Sequence, residues 1–153
     1  MSWIYNGKIF EDKDIPEGAV GFVYQMGVII NGSSYAYIGK KNFFANTKKK
    51  LTKKAMPTDK RLKKYTRISK TAYQNYYSSN DVLKKAHKDG VIIQRYILKI
   101  CYSKTELTYY EVKNQFLFGV LESDLYLNGN ILGRFFKQKQ TSCFCFPWKG
   151  RSF

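Results

Sequence analysis

The sequence predicts an α/β fold of the α+β kind, in which a small three-stranded, mainly antiparallel sheet is flanked by helices. Two β-rich runs flank an Asn-Gly turn, a third run alternates apolar and polar residues, and two amphipathic segments follow helix-capping residues. A chain of 153 residues that is 44% hydrophobic is long enough for one compact core. We therefore expect a single domain over residues 1–153, with its core at about 20–134.

The first predicted element is a β-hairpin between residues 21 and 40. Both runs are rich in β-branched and aromatic residues, and Asn31-Gly32 between them is the strongest short-range hairpin signal that a sequence offers. We therefore expect Tyr24 and Tyr37 on neighbouring antiparallel strands.

The second distinctive region, at about 40–70, is a Lys-rich insertion. Like charges at this density repel one another, so such a block is usually a solvated loop or an arm that faces phosphates. We expect a solvated loop or a phosphate-facing arm here, and its order can depend on DNA.

A short helix and a third strand are predicted after the insertion. Ser78, Ser79, Asn80 and Asp81 offer N-caps, and Gly90 supplies a stop. The run 91–101 alternates and is rich in Ile, Val and Tyr, so we expect a strand that pairs with the hairpin.

A long second helix is predicted from about Lys104 to Leu121. Ser103 and Glu106 have the spacing of a capping box. A polar, turn-rich segment at 122–130 then returns the chain towards the sheet.

The charge of the chain indicates a polyanionic partner. There are 27 Lys and Arg against 11 Asp and Glu, which gives a net charge of +16. Such a surplus repels itself unless a polyanion is near, and nucleic acid is the leading choice. Anionic membrane is the competitor, but no run approaches the roughly 18 apolar residues of a spanning helix, and the N-terminus lacks a signal-peptide pattern. We expect a soluble, cytoplasmic protein.

The cysteines predict no disulfide framework and no zinc site. Cys101, Cys143 and Cys145 are an odd number, and no second pair completes a ligand set. We interpret them as reduced thiols, and no role is assigned to the tail from Cys143 to Trp148.

Glu111 is the most informative single residue. Leu107, Glu111 and Phe118 fall on one helical stripe, so the carboxylate lies among apolar side chains. A carboxylate there needs a cation, whether Arg, Lys or a metal ion. The alternative, a solvent-facing Glu on a helix that is apolar nearly all round, stays open.

The hairpin tyrosines are candidates for the same site. A phenol can orient or deprotonate a nucleophilic water if nearby positive charge lowers its pKa. The alternative is that β-strands favour Tyr for packing alone.

Taken together, these residues resemble the GIY-YIG nuclease superfamily. Its paired motif is similar to Phe22-Val23-Tyr24 and Tyr37-Ile38-Gly39, which stand on either side of the turn. The chain from about Gly21 to Arg134 is most similar to small homing-type endonucleases of bacteriophages, in which a Lys-rich stretch follows the second tripeptide. The remaining matches stand in the family's order: Tyr77-Ser78-Ser79, a strand ending at Cys101, Tyr110-Glu111 and Asn128-Gly129.

The resemblance implies a metal-dependent endonuclease that hydrolyses phosphodiester bonds of double-stranded DNA. Tyr24 is implied to act as general base or to position the water, and Tyr37 to hydrogen-bond at the scissile phosphate. Glu111 is implied to be the single acidic ligand of one Mg²⁺ (or Mn²⁺). Asn128 is implied to be structural or substrate-orienting, and Tyr77 stands where many members carry a His. No small-molecule cofactor is implied, and a homodimer stays open.

Two departures affect the details. The first tripeptide reads Phe-Val-Tyr in place of the GIY of the family's name. The family's catalytic Arg has two candidates, Arg61 and Arg67. Lys40 or Lys41 can share the task, because a cation must face the phosphate. The expected DNA contacts are Lys40, Lys41, Lys48, Lys49, Lys50, Lys53, Lys54, Lys60, Lys63 and Lys64.

Two other functions fit the same composition. A catalytically inactive DNA-binding module of this fold would bind as strongly, so only cleavage separates it from a nuclease. A structural RNA-binding protein would also be basic and aromatic, but it would not need a carboxylate beside two tyrosines.

Overall fold

The computed structural model describes residues 2–50 and 64–137, and the side chains of residues 48–50 and 64–67 lie outside that description. Two short 3-10 turns occupy Asp12–Asp14 and Tyr73–Asn75. The helices are α1 (Asp81–Lys88) and α2 (Lys104–Leu117). The strands are β1 (Trp3–Tyr5), β2 (Lys8–Phe10), β3 (Gly21–Ile30), β4 (Ser33–Asn42), β5 (Phe44–Lys50), β6 (Lys64–Lys70), β7 (Ile93–Cys101), β8 (Asn130–Ile131) and β9 (Phe135–Phe136).

The main sheet has five strands in the order β2-β1-β7-β3-β4. The predicted three strands form its β4-β3-β7 part, all antiparallel, so the predicted α+β class is confirmed while the strand number was wrong. The N-terminal pair β1-β2 completes the sheet, and β1 lies parallel to β7. Asn6-Gly7 joins this pair with φ angles of 49° and 76°, the left-handed geometry of a tight hairpin turn.

The central hairpin forms as predicted. Strands β3 and β4 pair over ten positions, from Gly21 opposite Asn42 to Ile30 opposite Ser33. The turn residues Asn31 and Gly32 have φ angles of 51° and 79°, which is the type I′ geometry that this dipeptide favours.

The Lys-rich segment, expected to be a solvated loop or a phosphate-facing arm, contains two paired strands that the sequence did not predict. Strands β5 and β6 pair antiparallel over seven positions and form a two-stranded sheet of their own. Pairing between the two strands satisfies their backbone N–H and C=O groups. A two-stranded ribbon has no layer packed on it by necessity, so strand pairing is compatible with charged side chains that stay in water. The middle of the insertion, 51–63, lies outside the described residues, as does the tail from 138 onward.

The two helices cover opposite faces of the main sheet. On one face, α1 and the segment before it pack on a core that contains Trp3, Phe22, Tyr24 and Leu83. On the other face, α2 packs on a smaller cluster around Val23, Ile38 and Leu107. This separation follows from the alternation of side chains along each strand.

Both helices begin at predicted caps. Asn80 accepts hydrogen bonds from the backbone N–H groups of the first turn of α1. Ser103 caps α2, but the reciprocal bond of the capping box is displaced, because Glu106 accepts from the N–H of Tyr102 instead. Helix α2 ends at Leu117, four residues before the predicted end, because Gly119 takes a left-handed φ of 54°.

Within the described ranges, neither helix has the length and apolar character needed to cross a membrane.

Candidate active site

A polar cavity of about 460 Å³ opens beside β4, the outermost strand at one edge of the main sheet. Four parts of the chain meet there: β4, α2, the residues before α1 and the turn after α2. They contribute Tyr37, Lys40, Ser79, Glu111, Asn128 and Gly129, among others. The cavity straddles the sheet edge, so it is lined from both faces, and Tyr37 and Glu111 share it although they belong to opposite layers.

Tyr24 lies directly behind this cavity, across the backbone of Gly39. The two residues are opposite each other in the β3-β4 ladder. A Cβ on Gly39 would lie 2.7 Å from the hydroxyl oxygen of Tyr24 and 3.0 Å from the Cε1 of Tyr37. Only a glycine leaves room for the two phenols at this spacing, and the ring centroids of the two tyrosines lie 6.3 Å apart.

Burial governs the ionisation of both phenols. Tyr24 is 1% exposed, and burial, followed by the neighbouring Tyr76, raises its pKa well above that of a free phenol. The pKa of Tyr37 is also raised by burial, although a hydrogen bond with the Ser79 hydroxyl opposes the shift. The negative charge of Glu111, which lines the same cavity, also raises the pKa of Tyr37.

Tyr76, which the sequence did not single out, is the third phenol of this cluster. Its hydroxyl lies 3.5 Å from that of Tyr24, and the Lys41 ammonium lies 4.1 Å from the centre of its ring. Arg95 fixes the backbone here by donating to the carbonyls of Gln74 (2.7 Å) and Tyr76 (3.3 Å). The signal was present as a run of tyrosines, but nothing in the spacing shows which of them faces the site.

Tyr77 lies elsewhere. Its ring stacks on that of His87 with 3.6 Å between centroids, and the Arg95 guanidinium lies 4.5 Å from its centre. The structure therefore brings Tyr76, in place of the predicted Tyr77, to the phenol cluster, because successive residues of an extended segment point in opposite directions.

Glu111 has the cation that its position requires. Its Oε2 lies 3.0 Å from the Nζ of Lys40, which also donates to the Thr108 hydroxyl at 2.9 Å. The Glu111 side chain is 16% exposed and that of Lys40 is 35% exposed, so the pair stands at the mouth of the cavity. The buried stripe of α2 continues from Leu107 to Gln115, whereas Phe118, predicted for this stripe, lies beyond the helix and is exposed.

Asn128 holds the edge strand in place. Its Oδ1 accepts from the backbone N–H of Ile38 at 3.0 Å, and its Nδ2 donates to the Ile38 carbonyl at 2.8 Å. Gln115, which sequence reasoning missed, donates to the same carbonyl at 3.3 Å. The side-chain amide of Asn128 thus pairs with Ile38 as a neighbouring strand would, and it fixes the backbone between Tyr37 and Gly39.

The predicted cations fall into two groups, those near the cavity and those wholly or partly outside the described residues. Lys40 adjoins Glu111 and Lys41 adjoins Tyr76, as described above. Arg67 lies on β6, but its side chain lies outside the description. Lys48, Lys49, Lys50 and Lys64 belong to the ribbon with side chains likewise outside it, and Arg61, Lys53, Lys54, Lys60 and Lys63 fall outside the described residues.

The oxygen donors of the cavity suit a hard divalent cation. Across residues 2–50 and 64–137, no group of three or more His, Cys, Asp and Glu side chains could hold a metal ion by itself. Mg²⁺ keeps several waters and accepts one or two carboxylates together with substrate phosphate oxygens. One carboxylate from Glu111, in a polar cavity with room for bound water, fits that requirement.

Comparison with known proteins identifies the family of this chain. The family model described as "Putative endonuclease segE, GIY-YIG domain" matches residues 3–131, most of the chain. The chain therefore belongs to this family of the GIY-YIG nuclease superfamily. The search of curated proteins and the search of solved structures returned no significant match.

Proposed function

We propose that this chain is a metal-dependent DNA endonuclease that hydrolyses phosphodiester bonds, of the phage homing type. The observation that carries the proposal is that Glu111 and Tyr37 line one open polar cavity together with Lys40, whose ammonium pairs with Glu111. The net charge of +16 favours a duplex polyanion as substrate.

In this proposal Glu111 holds the metal ion at the mouth of the cavity. One Mg²⁺ or Mn²⁺ supplies, when bound, polarisation of the phosphoryl group and stabilisation of the leaving oxygen. Among the described residues that line the cavity, Glu111 offers the only carboxylate, so water and a phosphate oxygen would complete the shell.

Lys40 is our choice for the cation that faces the phosphate. Its ammonium already lies at the cavity mouth, bound to Glu111 and Thr108. A flexible lysine can turn from its carboxylate to an arriving phosphate, where negative charge develops on the equatorial oxygens. Tyr37, on the cavity wall, would donate a hydrogen bond to the same phosphate.

Tyr24 has the properties of a neutral orienting group. Its raised pKa disfavours the phenolate that a general base would need. The hydroxyl stays protonated near neutral pH, and we propose that it positions the attacking water through hydrogen bonds, in one network with Tyr76.

A plasmid-nicking assay tests this function. Supercoiled plasmid is incubated with the wild type, Glu111→Gln or Glu106→Gln, with Mg²⁺ and with chelator. Glu106 is the matched control, because it lies on the same helix. The amide oxygen of the Glu106→Gln variant can still accept the hydrogen bond from the backbone N–H of Tyr102. We expect Glu111→Gln to lower the nicking rate by about 100-fold or more, as loss of a transition-state charge contact does, while Glu106→Gln nicks normally.

Undiminished nicking by Glu111→Gln would remove that carboxylate from the mechanism. Wild-type binding to duplex DNA without nicking in any divalent metal would leave the inactive DNA-binding module as the function.

A further inference from the structure

The ribbon of β5 and β6 is strongly basic, and none of its described side chains lines the candidate active site. Its strands pair from Phe44 opposite Lys70 to Lys50 opposite Lys64. Its 14 residues contain no Asp or Glu. Six are basic: Lys48, Lys49, Lys50, Lys64, Arg67 and Lys70. A two-stranded ribbon is marginally stable alone in water, so this one is suited to a partner of opposite charge.

The base of the ribbon is fixed to the core beside the candidate active site. Phe43, between β4 and β5, is fully buried, and its ring lies 5.0 Å from that of Phe22 and 5.2 Å from that of Tyr73. Thr71, which follows β6 at the same end of the ribbon, donates its N–H to the Phe43 carbonyl at 2.8 Å. Lys70 forms an ion pair with Asp12. The ribbon thus begins three residues after Lys41, at a base that is packed against the core and hydrogen-bonded across its two strands.

Both faces of the ribbon are open where side chains are described. Ile68 is 68% exposed and Phe44 is 41% exposed, while Asn46 and Thr47 are exposed polar residues. Asn46 is opposite Ile68 in the ladder, so these two side chains share one face of the ribbon. Thr47 is the next residue along the strand, so it points to the other face. An exposed surface that combines amide, hydroxyl and apolar groups with cations matches what base edges and thymine methyls present between phosphates.

The dimensions agree with the major groove of B-DNA. Paired strands lie about 4.8 Å apart, and the groove, about 12 Å wide, admits a two-stranded ribbon. Seven residues at about 3.3 Å each extend about 23 Å, which is about 7 base pairs of a duplex. The major groove of an RNA duplex is too narrow for such an element.

We propose that the β5-β6 ribbon enters the DNA major groove on one side of the cleavage site and supplies sequence selectivity. The inference rests on the proposed function only for where the ribbon lies relative to the cut. The contact itself is a matter of binding, so binding experiments test it whether or not the chain cleaves.

Two ribbon variants distinguish the contribution of the strands to DNA binding from that of the segment that joins them. In the first, Leu51–Lys63 is replaced by Asn-Gly, which closes the seven-pair ribbon with a tight turn. In the second, Asn46–Ile68 is replaced by Asn-Gly, which closes the ribbon at the pair of Ala45 and Ser69. Both keep Phe43 and Thr71, and thermal melting checks that both still fold.

The probe is a pool of 40-base-pair duplexes with a random centre, selected by binding to full-length Glu111→Gln. Dimethyl sulfate then reports protection of guanine N7, which lies in the major groove. We expect the full-length chain and the first variant to protect guanines within a stretch of about 7 base pairs. The second variant should lose this protection, bind at least tenfold more weakly and select no sequence.

Three results would overturn the inference. N7 protection could persist in the second variant, it could vanish equally in the first, or the full-length chain could select RNA duplexes as strongly as DNA. Intact N7 protection together with a wild type that never nicks plasmid would retain the ribbon assignment and reject the nuclease.

Discussion

Replacing Gly39 with alanine should damage the site from inside the sheet. The new Cβ would lie 2.7 Å from the Tyr24 hydroxyl oxygen and 2.8 Å from its Cζ, whereas ordinary contact begins at 3.4 Å. The phenol must therefore retreat by about 0.7 Å. It has little room to do so, because its ring packs in the buried core with Trp3 at 5.4 Å and Tyr76 at 5.9 Å between centroids.

The expected magnitude follows from this displacement. Overpacking a filled core costs about 1–3 kcal/mol, so we expect the free energy of unfolding to fall by about 2 kcal/mol. A misplacement of about 1 Å at a reacting centre costs about 100-fold in rate. We therefore expect Gly39→Ala to fold at 25 °C but to nick plasmid about 100-fold more slowly.

The matched control is Gly27→Ala, another strand glycine of the same sheet. Its Cβ would meet Gln94 at 3.8 Å, an ordinary contact. Urea unfolding gives the stability difference, and initial nicking rates at saturating DNA give the catalytic one. If Gly39→Ala behaved like Gly27→Ala in both measurements, the close approach of Tyr24 to Gly39 would be refuted.

Three further predictions concern the residues around this centre. Lys40→Gln should lower the nicking rate at least tenfold with little change in melting temperature, and an unchanged rate would assign the phosphate cation to another residue. Asn128→Ala should lower the free energy of unfolding by about 1–3 kcal/mol, because it leaves the buried N–H of Ile38 without an acceptor; a urea midpoint equal to wild type would contradict this. Stability should fall as pH rises above about 9, since burial raises the pKa of Cys101 to about 11 and that of Tyr24 still further, so unfolding releases protons that the folded state keeps. Each group then lowers the free energy of unfolding by up to about 1.4 kcal/mol per pH unit. In a series of melting experiments at different pH, Tyr24→Phe should show a smaller decline above pH 10 than the wild type. If stability fell with the same slope in both proteins, Tyr24 would be excluded as a contributor.

Much of the fold was predictable because its signals are local. The Asn31-Gly32 turn, the caps at Asn80 and Ser103, and the alternation of β7 each act within a few residues, and the hairpin, both helices and β7 all form. The pair β1-β2 was missed because each strand has three residues, too few to show a period, although Asn6-Gly7 carried the same turn signal.

The ribbon was missed for a different reason. Lysine-dense sequence indicates solvation, but solvation also suits an exposed antiparallel pair, so charge density alone does not separate a loop from a ribbon. Strand pairing here joins residues up to 26 positions apart, from Phe44 to Lys70, and such pairing leaves no short-range pattern.

The candidate site shows the same division. The cation required by Glu111 was predicted as a chemical need, but its identity as Lys40 depends on how β4 and α2 pack. Tyr76 and Gln115 depend on tertiary contacts alone, since only the folded chain brings them to Tyr24 and Ile38.

The central claim is that Glu111 and Tyr37 face one phosphate at one metal ion, with the buried hydroxyl of Tyr24 behind them. Anomalous diffraction from a crystal of the Tyr24→Phe variant with duplex DNA and Mn²⁺ tests this most directly. We predict one manganese peak about 2.1 Å from a Glu111 carboxylate oxygen, the distance typical of a hard divalent cation, with a DNA phosphate between that peak and Tyr37. A peak bound elsewhere, or a phosphate held away from this cavity with Glu111 still paired to Lys40, would contradict the account.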